Sequence, residues 1–120
     1  HPVLRNVIAS YYGQLQKAID RKDLISINHR LASLFASFFD VLFAINEVLN
    51  PGEKKVLNFV LAECQKIPTN LAGNIESILQ FSTKGNALML DQIEELLDGL
   101  DRLLDDEGID PRRTILLNKG

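Results

Sequence analysis

From Leu31 to Ile45 the chain runs almost without polar interruption. Only Ser33, Ser37 and Asp40 break an apolar stretch bracketed by Arg30 and Asn46. A helix built on it is apolar on nearly every side, as expected of a segment surrounded by other helices. The polar residues are ordered along it. Ser26, Arg30, Ser33, Ser37 and Asp40 follow at intervals of four, three, four and three, so all five fall on one narrow helical face. An enclosed helix keeps an arginine and an aspartate only where each has a partner, because an unpaired buried charge is costly. Arg30 and Asp40 stand roughly 15 Å apart along the axis at helical rise, so they do not pair with each other. Each is expected to meet another helix, another domain or a ligand pocket. An inter-helix network reaching Tyr11 or Tyr12 and a surface shared with a partner both fit the pattern. A membrane span does not, since a central aspartate costs about 2.5–3.5 kcal/mol there.

Apolar residues elsewhere also recur at helical spacing, and no segment alternates with period two, so the chain reads as all-α. Leu4, Val7, Ile8, Tyr11, Leu15, Ala18 and Ile19 predict a first helix from about Pro2 to Lys22. Asp23 or Ser26 caps a long, buried second helix that runs to about Leu49. Asn50-Pro51-Gly52-Glu53 then reads as a helix start, with Asn50 as N-cap, Pro51 in the first turn and Glu53 reaching back. That third helix carries Val56, Leu57, Val60, Leu61 and Cys64 to about Lys66, and Pro68 ends it. A fourth begins at Thr69 or Asn70 and carries Leu71, Ile75, Ile78 and Leu79. Ser82 to Asn86 is a loop by composition. Leu90, Ile93, Leu97, Leu100 and Leu104 make a last helix ending near Gly108, with Pro111 beyond. Five helices with short links predict a single antiparallel bundle domain over residues 1–120.

Charge is unevenly spread. Residues 1–55 hold seven basic and five acidic groups, whereas 56–120 hold six basic and eleven acidic ones. Nothing here makes the basic field of a nucleic-acid binder, so no direct nucleic-acid contact is expected. A single cysteine, Cys64, rules out an internal disulfide and suits a reducing, cytoplasmic setting. No secretory signal or membrane segment is visible. The chain starts with His1 and enters a helix almost at once, which points to a piece of a longer protein.

Sites of chemistry are few. Glu94, Asp98, Asp101 and Asp105 follow helical spacing, and a metal-dependent hydrolase built on this file is one reading. The plainer reading is the wet face opposite the leucine row. Cys64 with His29 is the one nucleophile–histidine combination besides His1, but no catalytic signature surrounds either, and a small thiol among leucines reads as core. Arg112 and Arg113 read as a solvated tail. Glycine-rich phosphate loops, zinc spacings and nucleophile elbows are absent from the sequence.

Three segments carry a family resemblance: Ser26-Ile27-Asn28-His29-Arg30, then Ser37-Phe38-Phe39-Asp40-Val41-Leu42-Phe43-Ala44-Ile45-Asn46, then Pro51-Gly52-Glu53-Lys54-Lys55. Together they resemble the HEPN-like helical domain that follows a small nucleotidyltransferase domain in bacterial and archaeal proteins, including kanamycin-type aminoglycoside nucleotidyltransferases. The shared pattern is a buried helix ending in asparagine and then a proline-capped helix. In that family the preceding domain holds a Gly-Ser motif and an Asp-x-Asp pair that binds metal and nucleoside triphosphate. This chain has neither motif, so it holds no catalytic residue, metal ligand or cofactor of its own for that transfer. The resemblance implies a supporting role: walling the acceptor-substrate pocket of a nucleotidyltransferase domain, fused or separately encoded, or forming a homodimer. Nucleoside triphosphate and magnesium would belong to the parent enzyme. Arg30, Ser33, Ser37, Asp40 and Asn46 are the residues expected to face substrate or partner. A free-standing interaction module of the toxin–antitoxin kind is the alternative. Some HEPN domains are ribonucleases with a closely spaced Arg and His, but Arg21 and His29 stand further apart than that pattern allows.

Overall fold

A computed structural model describes residues 2–52 and 55–107. Among the described residues there are five helices and no strand: α1 (Pro2–Asp20), α2 (Leu24–Ile45), α3 (Val56–Glu63), α4 (Leu71–Ser82) and α5 (Leu88–Glu107). α1 packs along α2, and α4 along α5. Each pair is joined by a short link, so its helices run antiparallel, and the two hairpins close on each other through α1, α2, α4 and α5. Among the described residues α3 runs alongside none of them. The all-α bundle expected from helical periodicity is the fold observed.

The core follows the apolar rows. α2 contributes most, burying Ile27, Leu31, Leu34, Phe38, Phe39, Val41, Leu42, Phe43 and Ile45. Leu15, Ala18 and Ile19 of α1 pack against this cluster. Ile93, Leu97, Leu100 and Leu104 of α5 are buried, with Met89 and Leu96 fully so beside them. Each such aliphatic or aromatic side chain contributes about 1.5–3 kcal/mol by leaving water. Ring contacts tie part of the core together: Phe38 meets Phe39 edge-on at 5.4 Å, Phe39 stacks on Phe43 at 6.2 Å, and Phe43 meets Phe59 of α3 edge-on at 5.9 Å. Gly99 makes room between elements, because a Cβ on it would lie 2.9 Å from the ring of buried Pro68.

Several expected boundaries are corrected. α2 stops at Ile45, four residues before Leu49. Its end is a Schellman turn: Val48 N–H donates to Phe43 O at 3.0 Å, with Glu47 left-handed at φ 56°. Neither Asn50 nor Pro51 begins α3, which starts at Val56 behind Lys55, itself left-handed at φ 53°. Asn50 folds back instead, accepting from Gly52 N–H at 2.9 Å and donating to Asp40 at 2.8 Å, a local turn that competes with capping. The expected reach of Glu53 lies outside the described residues. α3 ends at Glu63 and not near Lys66, since Cys64 takes an extended conformation. Asp23, and not Ser26, is the N-cap of α2; Asn70 holds that position for α4 without a side-chain bond. Gly108, Pro111, Arg112 and Arg113 fall outside the described residues.

The same turn closes α1, where Asp23 N–H donates to Ala18 O at 3.0 Å around Lys22 at φ 56°, and α4, where Asn86 N–H donates to Phe81 O at 3.0 Å around Gly85 at φ 61°. Only the third uses glycine. Left-handed backbone strains any residue with a Cβ. Glu47 also sets a negative charge against the negative end of a helix dipole. Lys22→Gly and Glu47→Gly are therefore each expected to raise unfolding stability by about 1 kcal/mol, and Gly85→Ala to lower it by a similar amount. Urea denaturation of the three variants checks this.

Candidate functional site

The polar file of α2 lies on the shoulder between its buried and its wet faces. Ser26, Arg30, Ser33, Ser37 and Asp40 are all half-buried. Helical periodicity explains the position: the buried row Ile27, Leu31, Leu34, Phe38 and Leu42 faces the core, and the file is turned away from it by about a quarter of a turn. Beyond the file, Asn28, His29, Ala32 and Ala36 are exposed, as is Ile25 at 83 %. One side of α2 therefore faces outward, more than its apolar run implies.

Three hydrogen bonds of the file are local. Ser26 gives its hydroxyl to Asp23 at 2.8 Å and its N–H to the same carboxylate at 3.2 Å. Ser33 donates to the carbonyl of His29 one turn back at 3.2 Å. Asp40 accepts from Asn50 in the segment after the helix. Among the described residues no hydrogen bond joins Arg30, Ser33 or Ser37 to another helix. The interval of ten residues keeps Arg30 and Asp40 apart, so the file is an extended strip along one side of the helix.

Asn46, the last of the expected partner-facing residues, sits at the C-cap of α2. Its amide nitrogen donates to Leu42 O at 2.9 Å and Lys66 O at 2.8 Å, while its Oδ1 accepts from Lys66 N–H at 2.8 Å. The side chain thus pairs with a backbone amide as a neighbouring strand would, and ties the end of α2 to the α3–α4 link. An open cleft of about 340 Å³ lies beside it, lined by Ile45, Asn46, Glu47, Glu63, Gln65 and Lys66.

The other candidates are not assembled into sites. Cys64 is buried, and burial followed by the neighbouring Glu63 pushes its thiol up from the ordinary value, the opposite of an activated nucleophile. His29 is exposed near the start of α2, roughly 25 Å along the axis from Asn46, whose partner Lys66 is close to Cys64 in sequence. The two do not meet. Glu94, Asp98, Asp101 and Asp105 lie along α5, and among the described residues no three His, Cys, Asp or Glu side chains gather as a metal would require. No described helix is long and apolar enough to cross a membrane.

Two buried polar residues, Asn74 and Ser82, were not anticipated. Asn74 on α4 is 2 % exposed and donates to Gln92 at 3.0 Å and Glu95 at 2.6 Å on α5. Its position in the row Leu71, Asn74, Ile75, Ile78 was the available signal: a polar residue in a core stripe implies a partner on the facing helix. No protein-family model, curated protein or solved structure matches this chain.

The start of the file has a pH signature. Side-chain and then backbone hydrogen bonds from Ser26 lower the Asp23 carboxyl below its ordinary value. A depressed folded-state value stabilises above the unfolded value, about 4, and that contribution is lost as pH falls through the folded one. Asp23→Asn keeps a capping oxygen but not the charge. Its melting temperature is expected below wild type at pH 7, with the gap closing under about pH 4; a gap unchanged in acid contradicts the assignment.

Proposed function

We propose that this chain is a non-catalytic helical domain that docks against a nucleotidyltransferase domain, fused or separately encoded, through the shoulder of α2. Arg30, Ser33, Ser37 and Asp40 face that domain or the substrate between the two. The observation that supports this reading is the half-buried file itself, in which Ser26 and Ser33 bond within their own turn and Arg30 and Ser37 bond to no other helix among the described residues. The small serines and exposed Ala32 and Ala36 allow another backbone to come close. The guanidinium supplies five donors suited to carboxylate or phosphate groups. Asn46 supports the strip from its end by holding the helix terminus, since its amide is engaged with Lys66.

Asn46 is the C-cap of α2. The following proline does not cap a helix here, because Pro51 precedes α3 by several residues. The proposal therefore rests on the α2 strip and on the segments Ser26–Arg30 and Ser37–Asn46.

A second reading has its own observation. Ile25, Ala32 and Ala36 leave an apolar, shallow track on the outer side of α2, which suits a second copy of the chain.

The test begins with the coding sequence on either side of this chain. A module with Gly-Ser and Asp-x-Asp motifs in the same or the adjoining reading frame is expected, and its absence ends the proposal. With that module in hand, calorimetry of its association with this chain is expected to show Arg30→Glu weakening binding about tenfold or more, with the melting temperature little changed. Unaltered affinity contradicts docking through α2. Sedimentation that finds a concentration-dependent dimer abolished by Ile25→Glu, with no binding to the module, favours the second reading.

A further inference from the structure

We infer that α3, with Cys64, opens as a unit while the four long helices stay folded. The structure gives this element few independent supports. It is eight residues long, and a helix that short is marginal without tertiary packing. Its N-cap, Lys55, is left-handed and makes no side-chain capping bond. Among the described residues it runs alongside no other helix, and Val60 is its one fully buried residue; Leu61 is 48 % exposed. What holds it is the partial packing of Val56, Leu57 and Phe59 on the core, Phe59 meeting Phe43 edge-on, with the burial of Val60 and Cys64 and the Asn46–Lys66 clasp just beyond its end.

The other helices are held differently. α1 and α2 pack together through Leu15, Ala18 and Ile19 and the buried row of α2, α4 and α5 pack as a second pair, and Asn74 adds a polar tie to the latter. Elements with few buried contacts open at lower free energy than the core to which they are attached, and in cooperative blocks. Releasing α3 frees the Phe43 ring from Phe59 and uncovers Cys64. It leaves the seams intact. The clasp at Asn46 marks the boundary between the part that moves and the part that does not.

Cys64 is the only cysteine in the chain and is 6 % exposed, so it reports the opening without any engineering. The experiment follows its reaction with an aromatic disulfide reagent under native conditions, with the rate in denaturant as the reference for the fully exposed thiol. Three variants are compared with wild type. Phe59→Ala removes the ring contact and Asn46→Ala removes the clasp; each is expected to speed labelling about tenfold, as for the loss of a packed ring or of paired hydrogen bonds. Ile19→Val loosens the far end of the α1–α2 seam. It is expected to speed globally gated amide exchange in α1 and α2 by about two- to tenfold, and to leave Cys64 labelling unchanged.

Labelling of wild-type Cys64 faster than global unfolding permits, with that insensitivity to Ile19→Val, supports the inference. Labelling that rises with Ile19→Val in step with global stability overturns it, as does amide exchange of residues 57–64 no faster than that of the core of α2.

Discussion

α2 must hide a row of leucine, isoleucine and phenylalanine side chains, and the other helices are placed by that need. A lone helix of this composition has no stable solution in water. α1 covers much of the row, α4 and α5 approach from the other hairpin, and Phe43 extends the apolar surface far enough to seat Phe59 of α3. Every buried residue of α2 except Phe39 and Phe43 lies on one broad face, and those two widen it toward α3 through stacked and edge-on rings. The consequence is an asymmetric helix: the side turned to the core is saturated with apolar contacts, and the side turned away keeps Asn28, His29, Ala32 and Ala36 wet.

The polar file marks the edge between those sides. An edge position resolves the tension created by an arginine and an aspartate in an apolar segment, because neither charge has to be stripped of water. Two of the serines are satisfied locally: Ser26 serves the N-cap and Ser33 bonds back to its own helix. The strip runs beside the buried row Ile27, Leu31, Leu34, Phe38 and Leu42, with small serines between its two charged residues. The two ends of α2 are fixed by side chains, Asp23 at the start and Asn46 at the finish, so the strip between them is held in one orientation.

The helices themselves were legible because periodicity reports burial directly. Leu90, Ile93, Leu97, Leu100 and Leu104 all lie in the core, and Leu71, Ile75 and Ile78 do likewise. Termini were less legible, for a physical reason. Two of the three Schellman turns place lysine or glutamate where glycine is the usual signal, so the stop after Ile45 left no mark in composition. Asn50-Pro51-Gly52 has the chemistry of a helix start, yet Asn50 spends its side chain on Asp40 and on a tight turn. A cap residue satisfies whichever backbone group tertiary contacts bring near, and sequence does not reveal which. Asn46 shows the same limit: its type announces a polar role, but the pairing with Lys66 depends on a link folded back from twenty residues away. Asn74 could have been singled out from its place in an apolar row. Its partners Gln92 and Glu95 required knowing that α4 and α5 form a hairpin.

The claim on which the rest turns is that the α2 file is an outward strip and not internal scaffolding. Chemical denaturation of the triple variant Arg30→Ala, Ser33→Ala, Ser37→Ala tests it most directly. An outward strip predicts a stability within about 1 kcal/mol of wild type, because edge substitutions that break no buried bond have small effects. A loss of about 3 kcal/mol or more, the scale of a broken buried polar network, would contradict it.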